Sequence, residues 1–366
     1  MPDCERVAVA CNVYPSQAGN LRLRRVSANV SSFGENGLVE TGRNKEQGTR
    51  DKFSATKIIM KRLMLLLMCV ALLCVGCGGE KQTFVNIATG GTAGTYYPIG
   101  GAIADLLNKN GLNAAAQSTG ASVANINMLK DKQVELAIVQ NDITYYAVNG
   151  QEMFEEKVAG LSAIASLYPE TCQFVTRQDS GITSIEQLKG KRVAVGAAGS
   201  GAEANARQIL AAYGLTYDDI DEQFLSFAES AYALKDQTVD AAFVTAGFPT
   251  AAVQDVASQN PITLLHIDDA HIATLSAKYP FYNKIVIPAN TYAGQAQDVQ
   301  SVSVMAILVA NDKVDAKVGE QITKAIFDNL DKLQAAHAAA KNISKENARK
   351  GIDFLKLNDG AANVLK

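Results

Sequence analysis

The sequence predicts an α/β protein made of two similar lobes, and three observations carry that expectation. Units of β-branched strand, glycine-rich loop and amphipathic helix occur twice, around Gly90, Gly91 and Gly94 and again around Gly196, Gly199 and Gly201. Two separate motifs repeat at one offset. Leu129–Val139 (LKDKQVELAIV) matches Leu234–Val244 (LKDQTVDAAFV), 234 − 129 = 105, and Gly94-Thr95 matches Gly199-Ser200, 199 − 94 = 105. A late apolar run, Ser301 to Val309, is long enough to cross from one lobe to the other.

Composition bounds the function. The chain has 366 residues, 48% of them hydrophobic, enough for one large core or two ordinary ones. A net charge of −3 argues against a nucleic-acid partner, which requires a basic surface. The three histidines, His266, His271 and His337, form no zinc-ligand spacing with Cys172, so neither a metal nor another cofactor is expected.

Residues 1–59 are rich in Asn, Ser, Arg and Gly without sustained periodicity, and read as an over-extended gene model or a disordered leader. Residues 60–76 read as a lipoprotein signal peptide: Met60, the charges of Lys61 and Arg62, then the apolar run Leu63 to Val75. The run ends in Cys74-Val75-Gly76-Cys77, which resembles the lipobox of bacterial lipoproteins with its leucine displaced to Leu73. Cys77 is the expected lipidation site, followed by a linker at 77–82. Of six cysteines only Cys77 and Cys172 remain in such a mature chain, so no disulfide framework is expected.

The first lobe is expected at 83–175. Its opening strand, Val85 to Ile87, leads through the glycine-rich loop into a helix whose apolar positions are Ile99, Ile103, Leu106 and Leu107. A helix start presents N–H groups and the positive end of its dipole to an anion. Gly91 and the hydroxyls of Thr92 and Thr95 are candidate donors there, with Tyr96 as wall or as ordinary core. Such turns also occur where nothing binds, and the order of glycines is neither G-x-G-x-x-G nor a phosphate loop. A strand at Asn113 to Gln117 follows, then a second loop with candidates Ser118 and Thr119, where Ser122 reads as a helix cap. The buried strand Val134 to Val139 places Gln140 and Asp142 at its C-terminal end, where open α/β sheets bind ligands. Tyr145 lies on the next helix as wall or core. The strand from Leu161 is expected to close at Tyr168-Pro169-Glu170.

The second lobe is expected at 176–290. A strand from Lys189 to Gly196, a loop offering Gly199, Ser200 and Gly201, and a helix from Ala202 to Ala212 repeat the first unit. Thr245 and Gly247 occupy the strand end equivalent to Gln140 and Asp142. Thr263 to Ile267 is extended, and Asp268 opens a helix. Residues 291–366 are expected to supply the return hinge strand and helices that pack on the first lobe.

Several of these segments, Ala88–Pro98 (ATGGTAGTYYP) with Gly100-Gly101, Ser118–Gly120, Gln140–Asp142, Leu188–Val193, Gly199–Gly201, Gly247–Pro249 and Ile287–Tyr292, resemble the TAXI family. That family comprises the solute receptors of one branch of TRAP transporters. The resemblance spans Phe84 to about Asn329 and implies a two-lobed periplasmic binding protein fold, type II-like, with hinge strands between the lobes. The pattern departs at Ala246, and at Ala121 where a second glycine is expected.

The function implied is that of a receptor outside the cytoplasmic membrane, held there by a lipid anchor. It would capture a small carboxylate, glutamate or a related acidic amino acid, by cleft closure and deliver it to a TRAP-type permease. The residues favour a receptor over an enzyme, since no nucleophile–base–orienter set is present. A receptor for an ATP-driven importer and a surface lipoprotein with a vestigial cleft are the rival readings.

Overall fold

The computed structural model describes residues 84–366 together with Met60 and Met64. The expected leader at 1–59, lipidation at Cys77, the linker and, apart from those two methionines, the signal peptide lie outside the described residues. No helix among the described residues is long and apolar enough to cross a membrane.

The first lobe opens with β1 (Phe84–Ala88), α1 (Tyr96–Lys109), β2 (Asn113–Gln117), α2 (Ser122–Lys130), β3 (Leu136–Gln140) and α3 (Asn141–Asn149). Strand β1 pairs in parallel with β2 on one side and β3 on the other. Strand β3 is buried along its whole length, as a parallel strand covered on both faces must be. A long strand, β4 (Leu161–Arg177), then leaves this lobe and enters the next.

The second lobe repeats the scheme with β5 (Arg192–Ala194), α4 (Gly201–Ala212), β6 (Asp221–Gln223), α5 (Phe227–Lys235), β7 (Ala241–Ala246) and α6 (Ala251–Gln259). It continues through β8 (Ile262–Leu264), α7 (Asp269–Lys278) and β9 (Asn283–Ile287). Strand β5 pairs in parallel with β6 and β7, as β1 does with β2 and β3. The repeat seen in sequence is structural: α1 and α4 begin at Tyr96 and Gly201, α2 and α5 at Ser122 and Phe227, β3 and β7 at Leu136 and Ala241. The differences 201 − 96, 227 − 122 and 241 − 136 are each 105.

Strand β10 (Val299–Asn311) returns between the lobes, giving the order β2-β1-β3-β10-β4-β7-β5-β6. Its C-terminal half lies antiparallel to β3 and its N-terminal half to β9, while β4 pairs with β10 and then with β7 and β8. Two long strands shared in this way are the hinge of a two-lobed binding-protein fold. The chain ends with α8 (Ala316–Phe327), α9 (Leu330–Ala336) and α10 (Asp359–Val364). Ile322 and Ile326 of α8 and Leu333 of α9 share a core with Ile103 and Leu107 of α1. The second lobe has its own core around Phe174, Val193, Ile209 and Phe243.

Four local expectations need correction. The strand from Leu161 does not close at Tyr168-Pro169-Glu170, because Pro169 lies opposite Met305, whose N–H goes to Asn141 Oδ1, and before the pairing with β7 begins at Thr171, so the ladder does without its missing N–H. The second-lobe strands shorten to Arg192–Ala194 and Ile262–Leu264. A helix expected over Leu330 to Lys341 stops at Ala336, where His337 turns to an extended conformation and caps a following 3-10 turn through its Nδ1. The short helix α10 was not expected; Asn358 opens it by accepting from Gly360 N at 3.0 Å.

Candidate functional site

Both parallel units put the C-terminal ends of their strands, and so the starts of their helices, on the edge that faces the other lobe. A cavity of about 80 Å³ lies where they meet. One water needs roughly 10–15 Å³ measured the same way, so the space suits a small solute. Four helix starts line it: Thr95 and Tyr96 at α1, Ala121 at α2, Ser200 and Gly201 at α4, Ser226 and Phe227 at α5. Between them stand Gln140 at the end of β3, Glu170 in β4, and Thr245 with Ala246 at the end of β7.

The helix starts are not equivalent. Ser200 Oγ accepts from Glu203 N at 3.2 Å and Ser226 Oγ from Glu229 N at 3.4 Å, so α4 and α5 are capped by their own chain. Thr95 makes no cap; its hydroxyl donates to Gly247 O at 3.0 Å in the other lobe. Ala121 has no side chain with which to cap α2, and its backbone lies at φ 70, ψ −150, a region that ordinarily requires glycine. The first turns of α1 and α2 therefore lack side-chain caps and keep part of the donor character that a helix start offers an anion, Pro98 having no N–H and Ala124 N being taken by Gly199 O.

Side-chain charge in the cavity is of the opposite kind. Glu170 is 2% exposed, and its carboxyl takes one hydrogen bond, from Tyr96 OH to Oε2 at 2.8 Å. Burial pushes that carboxyl well above the usual carboxylate range. Among the described residues no Lys, Arg or His lines the cavity.

The lobes are closed over this space. Gln140 Nε2 donates to Asn205 Oδ1 at 2.5 Å, and Asn205 Nδ2 donates to Asp142 Oδ2 at 2.8 Å and to Tyr282 OH at 2.9 Å. Tyr282 OH donates to Gln208 Oε1 at 2.8 Å, and Gln208 Nε2 to Tyr146 OH at 3.2 Å. Two backbone bonds also cross, Ala252 N to Ala93 O at 3.2 Å and Ala124 N to Gly199 O at 3.3 Å. Burial raises Asp142 to about 6 against the opposing hydrogen bond from Asn205, and its Oδ1 has no partner.

Of the residues the sequence singles out, the structure gathers Gly91, Thr95, Tyr96, Thr119, Gln140, Ser200, Gly201 and Thr245 on the cavity. The others stand elsewhere. Thr92 is exposed in the turn before α1. Ser118 donates to Gly90 O at 3.0 Å and shapes the loop from outside. Asp142 lies behind the wall, on Asn205. Gly199 and Gly247 act through their carbonyls, as acceptors for Ala124 N and Thr95 Oγ1. Tyr145 packs against Phe281 and Phe354, with ring centroids 4.9 and 5.4 Å away, in a groove that does not include the cavity. Three arginines of the second lobe stand off the cavity in ion pairs: Arg177 with Asp179, Arg192 with Asp240, Arg207 with Glu152 and Glu203.

The sequence profile of the NMT1-like family matches residues 87–366, well over half of the chain. The chain belongs to the NMT1-like family. Among solved structures it is similar to a protein of Bordetella bronchiseptica RB50, at 16% identity over 71% of this chain and 77% of that one, with a TM-score of 0.49. It is also similar to PhnD1 from Prochlorococcus marinus in complex with methylphosphonate, at 12% identity over 70% and 84%, with a TM-score of 0.46. A third is the periplasmic aliphatic sulphonate binding protein SsuA from Escherichia coli, at 13% identity over 78% and 90%, with a TM-score of 0.41.

Two lining groups of this NMT1-like protein escaped the sequence reading. Ser226 and Phe227 were legible in principle, because Ser226 is the repeat partner of Ala121, 226 − 121 = 105. Glu170 carried only a faint signal, the one charged residue between Leu161 and Thr176. Among the described residues no group of three or more His, Cys, Asp or Glu could hold a metal ion.

Proposed function

We propose that this protein is an extracytoplasmic solute receptor that encloses a small carboxylate, an acidic amino acid such as glutamate in the first instance, and presents it to a TRAP-type permease. One observation carries the receptor reading: a solute-sized cavity closed between two lobes that are joined by shared strands and held together by polar bonds. A solute touching both lobes is bound fully only when they close, so it shifts the population toward the closed form by its difference in affinity for the two. The TAXI-like motifs support the TRAP partner and the acidic ligand. The cysteine at the end of the signal-like segment supports a lipid anchor at Cys77 outside the cytoplasmic membrane.

The test is native mass spectrometry of the purified protein for a retained solute, followed by calorimetry with amino acids and organic acids. At 100 times its dissociation constant a true ligand stabilises the fold by about 2.7 kcal/mol, which raises the melting temperature. Small-angle scattering of opened, ligand-stripped protein should show compaction with that ligand. A protein that retains nothing and responds to no solute is not a receptor, and one that returns the solute chemically changed is an enzyme. Uptake in reconstituted vesicles separates the partners: ATP-independent transport fits the TRAP reading, and strict ATP dependence replaces it with an ATP-driven importer.

A further inference from the structure

We infer that Glu170 is the receptor for a cationic group of the solute, so that the cavity selects an ammonium-bearing zwitterion over a plain acid. The inference rests on the receptor reading and adds the residue that decides specificity. Glu170 stands in β4, one of the two hinge strands, and reaches the cavity together with residues of both lobes. It is 2% exposed, its single hydrogen bond comes from a neutral phenol, and no cationic side chain lines the cavity with it. A buried carboxyl ionises only beside an opposite charge or with full hydrogen bonding, and the protein supplies neither.

The cavity also has an anion-seeking side to its chemistry. The starts of α1 and α2 face the space without side-chain caps, and their dipoles favour negative charge. A solute with only negative groups would satisfy those helix starts and leave Glu170 without an ionic partner. A solute with only positive charge would do the reverse. A small zwitterion meets both, its carboxylate on the helix starts and its ammonium on Glu170, with Thr245 Oγ1 and Gln140 Oε1 as further acceptors on the lining. Asp142 is not available for that role, since it is bonded to Asn205 behind the wall.

The experiment is calorimetry on the wild-type protein and on Glu170→Gln, with the L-amino acids, their deaminated carboxylic acids, and alkyl sulfonates and phosphonates. Glutamine keeps the shape and still accepts from Tyr96, and the melting temperature of each protein is recorded as a check on folding. The expected result is that the tightest amino acid binds wild type at least 100-fold more tightly than its deaminated analogue. Glu170→Gln should shrink that ratio at least tenfold by weakening the amino acid, while the analogue binds as well or better. A ratio that changes less, or an equal loss for both ligands, overturns the assignment of the ammonium to Glu170. The wild-type comparison stands even if the variant does not fold: amine-free acids binding as tightly as amino acids would overturn the inference and leave the receptor reading intact. Binding of nothing in the panel would overturn both.

Discussion

Gly201 is where closure can be broken by one methyl group. A methyl group there would overlap the carboxamide of Gln140, whose Cδ would stand 2.5 Å away with Oε1 closer still, and would meet Ile143 Cγ1 at 3.0 Å. Comfortable carbon contacts lie at ~3.5–4.0 Å, so Gln140 would have to retreat by about 1 Å or more. It cannot do so freely, being buried and tied to Asn205 by a 2.5 Å hydrogen bond. Overpacking of this kind costs roughly 1–3 kcal/mol and the lost hydrogen bond about 1 more. Both obstacles belong to the other lobe, so opening the cleft relieves the strain. Gly201→Ala should therefore lower the closed-to-open ratio by a factor on the order of 10², at ~1.4 kcal/mol per tenfold, and weaken any solute that needs the closed form in proportion. Small-angle scattering of the unliganded variant should show a larger radius of gyration. Its melting temperature should change little, because alanine is the better helix former. Gly101→Ala is the control, since a Cβ at that helical position meets nothing within 4 Å. A Gly201→Ala protein with the wild-type radius and an affinity within about threefold of wild type would show that the observed closure is not what binding uses.

Two further substitutions test the same interface. Asp142 has its ordinary value of 3.8 raised to about 6 by burial. Its contribution to stability is thus present in full below pH 3.8 and is lost as the pH climbs from there through about 6. At ~1.36 kcal/mol per pH unit the loss is about 3 kcal/mol, and Asp142→Asn should remove it. Denaturant titrations should show the variant gaining on wild type by that amount between pH 4 and pH 8, and parallel pH profiles would refute the assignment. At Ala121, φ 70 and ψ −150 cost a non-glycine residue ~1–3 kcal/mol, against ~0.4–1 kcal/mol that glycine loses through unfolded-chain entropy. Ala121→Gly should raise the unfolding free energy by about 1 kcal/mol in urea titration, whereas a decrease of that size would mean the conformation is not strained.

The sequence by itself determined the α/β character, the doubled unit and the glycine-rich helix starts. These follow from local rules: β-branched runs make strands, glycines make the turns, and the offset of 105 between Gly94 and Gly199 recurs wherever the same unit is built. Thr95, Ser200 and Thr245 could be picked out because a parallel strand delivers its C-terminal end, and the helix start that follows, to the same edge every time. What the tertiary structure decided is which side chains meet across the cleft. Asp142 and Tyr145 sit on the same short helix as legible candidates, yet Asn205 draws the first behind the wall and Phe281 and Phe354 draw the second into another groove. Glu170 moved the other way: Pro169 marked the end of a strand by local rules, and the strand runs on because Pro169 stands opposite Met305, whose N–H goes to Asn141, and ahead of the pairing with β7. Partners separated by tens of residues leave no periodic trace in the chain, so the chemistry of the cavity, uncapped helix starts together with a buried carboxyl, exists only once both lobes have folded and closed.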